Sequence, residues 1–220
     1  MQAKPPFPKW INKAIRLGLV GAAVTAFTAA GLGKYASMPQ QLDVGYQPTQ
    51  PVPYSHKLHA GELGIDCRFC HTTVDKANFA AIPPTQTCMV CHTRIKADSP
   101  RLAKIRESYA TGKPVEWIKV HKLPDFAYFS HKAHVNNGIS CVSCHGRVDQ
   151  MEVVQQVQPL GMAMCLECHR NPENALRPKE FVTKLDWTPP AGQTQQQIGN
   201  KLKQELKIHP PVGNCAGCHR

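Results

Sequence analysis

The chain has 220 residues and a formal net charge of +11, enough for one domain or one domain plus an anchor. Ten cysteines at this length raise two readings, a disulfide framework and zinc sites, and their spacing excludes both. The basic excess would ordinarily point to nucleic acid, but no aromatic-basic stripe accompanies it, so no nucleic-acid partner is expected.

From the N-terminus, Lys4, Lys9, Lys13 and Arg16 precede an uncharged stretch from Leu17 to Gly33, and Ile11 and Ile15 extend its apolar character. Signal peptides share this layout. The stretch also reaches the lower limit for a membrane-spanning helix. No A-x-A cleavage site is convincing near its end, so residues 1–33 are expected to form a cytoplasmic N-terminus and an uncleaved transmembrane anchor. The basic flank places the N-terminus in the cytoplasm and the rest of the chain outside the inner membrane. Gly18, Ala22, Ala26 and Ala30 recur every four residues, a stripe that lets another helix approach closely in lipid. Residues 34–54 contain Pro39, Pro48, Pro51 and Pro53 with several glutamines, and read as a partly extended linker.

Beyond the linker the cysteines fall into five pairs: Cys67/Cys70, Cys88/Cys91, Cys141/Cys144, Cys165/Cys168 and Cys215/Cys218. Each pair encloses two residues, and each is followed at once by a histidine: His71, His92, His145, His169 and His219. C-x-x-C-H is the attachment site of c-type haem. The two thiols form thioethers with the haem vinyl groups, and the adjacent histidine is the proximal ligand of the iron. All ten cysteines are used, and five covalently bound c-type haems are expected. Their propionates largely offset the positive charge. Haem attachment belongs to the oxidising, periplasmic side of the membrane, in agreement with the anchor's orientation.

The region also repeats internally. Ser55-His56-Lys57-Leu58-His59, then Gly64-Ile65, leads to Cys67. Ser130-His131-Lys132-Ala133-His134, then Gly138-Ile139, leads to Cys141, with a spacer one residue shorter. A second haem site follows each copy. The haem domain, 55–220, thus reads as two dihaem modules, about 55–120 and 121–175, and a C-terminal haem segment, 176–220. Regular structure should be sparse. Leu102, Ile105 and Tyr109 share a helical face over 101–109, and Ile198, Leu202 and Leu206 share another over 195–207. Nothing alternates long enough to build a sheet. The expected fold is a mostly irregular and α-helical multihaem cytochrome whose core is built around its haems.

Each iron needs a ligand opposite its proximal histidine. His56, His59, His121, His131, His134 and His209 lie outside the motifs, six candidates for five irons. Two histidines three apart on one turn can reach two different haems. Loop closure assigns His56 to the haem at Cys67 and His131 to the haem at Cys141, leaving His59 and His134 for haems of other motifs. Met151 is a further distal candidate, since a methionine ligand raises the potential. Irons ligated on both faces carry electrons and leave no position for a substrate, so no catalytic residue is expected.

Tyr54-Ser55-His56-x-x-His59 leading to C-x-x-C-H resembles the class III multihaem cytochromes. Ser55–His71, Leu123–His145 with Gly146-Arg147-Val148, and Met162–Pro172 are similar to the pentahaem cytochrome subunits of bacterial alternative complex III. That resemblance implies an electron-transfer subunit of a quinol-oxidising membrane complex, respiratory or photosynthetic. Electrons would arrive from an iron–sulfur subunit and leave toward another cytochrome subunit, a periplasmic acceptor or a terminal oxidase. The integral-membrane partners would hold the quinol site. A membrane-anchored quinol dehydrogenase of the NapC/NirT type is the alternative. Those usually carry four haems, and the S-H-K-x-H repeat is foreign to them.

Overall fold

A computed structural model describes residues 7–8, 10–37 and 43–219. Lys4, Lys9 and Pro39 lie outside the described residues. The chain divides into two units, Met1–Leu42 and Asp43–Arg220.

The first unit contains helix α1, Trp10–Ala36. Its 27 residues run roughly 40 Å at the α-helical rise, more than the apolar thickness of a bilayer. The helix starts earlier and ends later than the uncharged stretch. Pro8 precedes it and accepts the Ile11 amide through its carbonyl. Nothing between Gly33 and Ala36 breaks it, and Lys34 in the last turn faces the negative end of the helix dipole. Its length and composition fit a membrane span, and fit a signal sequence equally well.

In the second unit no strand occurs among the described residues. Two isolated bridges, Ala127 with His219 and Ile139 with Leu176, are the extent of β pairing there. The helices are short: α2 (Cys67–Cys70), α3 (Thr85–His92), α4 (Ala103–Thr111), α5 (His131–Asn136), α6 (Val142–His145), α7 (Met162–Arg170) and α8 (Gln195–Glu205). Both helices expected from periodicity are present. In α4, Ile105 is buried, but Ser108 rather than Tyr109 is its second inward residue. Ser108 turns in because its hydroxyl meets that of Thr85 at 2.7 Å, tying α4 to the start of α3.

The aliphatic core is small. Val52, Val74, Ile105, Leu176, Val182 and Ile198 are its buried apolar side chains among the described residues. Around Leu176, Ser140 donates to the Val182 carbonyl at 2.7 Å, and Gly138 lies against the Arg177 backbone with a φ of +84° that only glycine adopts readily. Helix α8 is fixed by a capping box at Thr194 and by Gln195, which donates to the Glu173 and Leu176 carbonyls. Residues 43–54, read from composition as linker, run extended against the domain. The Gly45 amide donates to the Gln156 carbonyl, the Tyr46 carbonyl accepts from the Gln156 amide, and the Gln50 amide pairs both backbone groups of Ile118.

The sequence repeat is also a repeat of structure. His59 Nδ1 bonds the Ser55 carbonyl at 2.8 Å, and His134 Nδ1 bonds the Ser130 carbonyl at 2.8 Å. The Ile65 amide donates to the His59 carbonyl, as the Ile139 amide does to His134. The extra residue of the first copy is absorbed by a π-helical turn, Lys57–Glu62, where the second copy has α5. A π turn closes one residue later than an α turn, so it takes up a single insertion. The two modules also clasp each other reciprocally. Lys132 donates to the Ala77 carbonyl, six residues past His71, and Lys57 donates to the Met151 carbonyl, six past His145. Asn136 donates to the Asp75 carbonyl, and Gly61 rests on the Asp149 carbonyl.

Candidate haem-binding sites

Each C-x-x-C pair sits on or at the start of one helical turn, in α2, α3, α6, α7 and a 3₁₀ turn over Cys215–Gly217. Residues three apart on a turn face the same side, so each pair presents two sulfurs together. In the first, third and fifth sites the histidine amide donates to the carbonyl of the first cysteine, at 2.8 to 2.9 Å. That bond folds the histidine back beside its cysteines. All ten cysteines are unpaired.

The ten cysteines differ in exposure. Cys91, Cys165 and Cys215 are exposed, whereas Cys67, Cys70, Cys88, Cys141, Cys144, Cys168 and Cys218 are half-buried. Cys91 is the case with a local cause. It lies in α3, a helix that buries none of its residues, and its side turns outward while Cys88, one turn earlier, is half-covered. Cys91 stays within electrostatic reach of Cys70.

The motif histidines share a further feature. Nδ1 meets a backbone carbonyl in four of them: Ala81 for His71 (2.8 Å), Ile95 for His92 (2.9 Å), Pro211 for His169 (3.4 Å) and Phe126 for His219 (3.2 Å). A donor bond from Nδ1 fixes the tautomer and leaves the Nε2 lone pair free for a metal. His145 departs from the pattern. Its Nδ1 meets Nε2 of His121 at 3.3 Å.

The candidate distal histidines come to the motif histidines in pairs. Ring centres are 6.2 Å apart for His59 and His92, 6.4 Å for His131 and His145, and 6.0 Å for His134 and His169. An iron held between two ring nitrogens at roughly 2 Å each sets ring centres about 6 Å apart. His56 lies within electrostatic reach of His71. Burial, then the neighbouring histidines, pushes His56 down to about 4 and His145 to about 3. Both rings are therefore neutral, the form that ligates. His121 lies behind His145 rather than opposite it, with ring centres 4.3 Å apart at 86°. His209 is exposed and lines a shallow cleft with Asn200, Lys203 and Lys207. Met151 contributes its carbonyl to Lys57.

Sequence reasoning passed over the aromatic residue before each S-H-K-x-H copy as a positioning group. Tyr54 and Phe129 each stand edge-on to the first histidine of their copy, at 4.8 Å, and face the second, at 4.5 and 4.4 Å. An aromatic residue at the same place in both copies was the available signal. The carbonyls of Ala81, Ile95, Asn78 and Phe126 left none, because every residue type has one.

The sites form a series. Cys70 is an electrostatic neighbour of Cys88 and Cys91, and Cys67 lies beside Cys141. Cys144 neighbours Cys165 and Cys168, and Cys165 neighbours Cys218. In order of their motifs, the sites therefore run second, first, third, fourth, fifth.

The residues fit covalent haem. Paired sulfurs, a histidine with a free Nε2 and an opposing imidazole at the right separation meet at three sites. Arg177 is buried over the Trp187 ring, near Cys141, with no partner for its Nε among the described residues. A propionate is a suitable acceptor for that donor.

Comparison with known proteins agrees. Residues 127–220 match the family of cytochrome c7 and related cytochrome c. That stretch, less than half of the chain, is similar to a cytochrome c7-type multihaem domain. Such a cytochrome holds c-type haem covalently and transfers electrons. The cytochrome is also similar to the multiheme cytochrome c subunit of a menaquinone reductase from Nitratidesulfovibrio vulgaris (strain Hildenborough), 36% identical over 100 residues. The match takes in 45% of this chain and about half, 47%, of that relative's length.

Proposed function

We propose that this cytochrome is the electron-relay subunit of a membrane-bound quinol-oxidising complex of the alternative complex III kind, carrying five haems from the inner membrane's periplasmic side. What supports the reading above all is the serial electrostatic proximity of the cysteines of the five C-x-x-C-H sites. Haem bound there supplies reversible one-electron chemistry. The chain's own part is to hold the haems close and to ligate each iron on both faces, so that nothing but electrons is exchanged. His71, His92, His145, His169 and His219 are the proximal ligands. His56, His59, His131 and His134 are the distal ligands of the first, second, third and fourth sites in sequence. His209 is left for the fifth, and Met151 is its competitor for a distal position. Electrons enter at one end of the series, the second or the fifth site, and leave at the other. The quinol site, the iron–sulfur centre that feeds the relay and the onward cytochrome or periplasmic acceptor belong to partners.

The similarity to a subunit named for menaquinone reductase favours a second reading, in which the same relay runs electrons toward a quinone. Mild detergent extraction tests the assignment. Iron–sulfur and multispanning subunits should come with the cytochrome, and added menaquinol should reduce its haems only while they are present. Haems oxidised by menaquinone, with no reduction by menaquinol, would establish the second direction. Reduction of the isolated chain by quinol alone would overturn both and favour the NapC/NirT alternative.

A further inference from the structure

One imidazole is surplus to ligation, and it occupies a defined place. His121 sits in an extended segment held by Gln50, whose side chain accepts from the Ile118 amide at 3.0 Å and donates to the Ile118 carbonyl at 2.8 Å. That clamp sets His121 edge-on behind His145, with Nε2 facing Nδ1 at 3.3 Å. A proximal histidine ligates through Nε2, so its proton is on Nδ1. His145 therefore donates and His121 accepts, and His121 carries its own proton on Nδ1.

We propose that His121 is a positioning residue for the haem at Cys141: an imidazole acceptor that makes His145 a more electron-donating ligand and lowers that haem's potential. The other four motif histidines donate to backbone carbonyls. An imidazole nitrogen is a much stronger base than an amide oxygen, so it pulls the Nδ1 proton further and leaves more negative charge on the ring. A more basic ligand stabilises the ferric state over the ferrous one. The opposing His131 has the ordinary carbonyl acceptor, its Nδ1 meeting that of Asn78 at 2.9 Å, so what sets this site apart is His121. The third site is the middle of the series, so the residue lowers the midpoint of the haem between the two outer pairs.

The inference rests on His145 ligating iron. The test is a potentiometric titration of the detergent-solubilised complex, followed by low-temperature EPR, on wild type, His121→Gln and His121→Phe. The expected result is five low-spin haems throughout, with one midpoint shifted upward. The shift should be small for glutamine, whose carbonyl replaces the acceptor as at the other sites, and larger for phenylalanine. Five low-spin haems with unmoved midpoints would overturn the role of His121 alone. A new high-spin signal in both variants would instead make His121 a distal ligand. A wild type lacking haem at Cys141 and Cys144 would overturn this inference together with the relay reading. Should phenylalanine prevent assembly, the glutamine shift decides.

Discussion

The two S-H-K-x-H modules are built to one plan and differ in three particulars. The first closes its histidine turn as a π turn where the second uses α5. The first caps its C-x-x-C turn with a side chain, Asp66, whereas α6 starts at Cys141 without a side-chain cap. His131 Nδ1 has the Asn78 carbonyl, whereas its counterpart His56 Nδ1 is buried with no partner among the described residues. What is common to both is the spacing of the two imidazoles and the aromatic ring between them. The differences lie in how each copy is held. Imidazole geometry is thus the invariant, and local backbone structure adjusts around it.

The largest expected effect breaks that invariant. His59→Ala and His134→Ala should each convert one haem to high spin, the second and the fourth respectively, and leave the others low-spin. Unchanged EPR in either variant would remove that residue from the ligand set. Next comes the clasp between modules. A Cβ at Gly61 would meet the Asp149 carbonyl, so Gly61→Val should destabilise by about 2 kcal/mol or more. Asn136→Ala at the matching place loses a hydrogen bond and should cost about 1 kcal/mol in denaturant unfolding.

The cap difference gives an effect of similar size that depends on pH. Asp66 accepts from the Arg68 amide at 2.8 Å and from the Arg68 guanidinium, and Thr183 donates to it as well. Chiefly the Arg68 bonds hold its carboxyl down at about 2. A depressed carboxylate contributes stability above its unfolded value of roughly 4 and loses it as pH falls through its folded value. Asp66→Ala should therefore cost about 1 kcal/mol near neutrality, and the gap to wild type should close between roughly pH 4 and pH 2. No corresponding loss is expected at Cys141. Smallest of all is Tyr54→Phe, which gives the first module the ring of the second. It should change stability by less than about 0.5 kcal/mol, while Tyr54→Leu should disturb the low-spin signal of the second haem.

Much of this was legible in the sequence because the chemistry is local. A C-x-x-C-H motif carries its own turn, so the helical turns that hold the paired cysteines were readable at once. The repeat made the H-x-x-H pairs readable, and the one-residue difference in their spacers is the π turn itself. Other features depend on contacts far apart in the chain. His121 is set by Gln50, which no periodicity connects to it. The order of the sites rests on sulfur neighbours such as Cys67 and Cys141, which spacing alone cannot reveal. The exposure of Cys91 was equally hidden, since its motif reads the same as the half-buried pair at Cys67 and Cys70. In α4, side-chain periodicity pointed to Tyr109, and a hydroxyl contact with Thr85 turned Ser108 inward instead. The ends of α1 ran past the uncharged stretch because Lys13, Arg16 and Lys34 do not stop a helix.

The central claim is that all five motifs carry haem in one connected relay. Intact mass of the purified chain, denatured before measurement, addresses it most directly. The account predicts the polypeptide mass plus five covalently retained haems, falling by one in a variant with Cys215 and Cys218 both changed to alanine. A mass corresponding to four haems or fewer in the wild type, or haem released on denaturation, would contradict it.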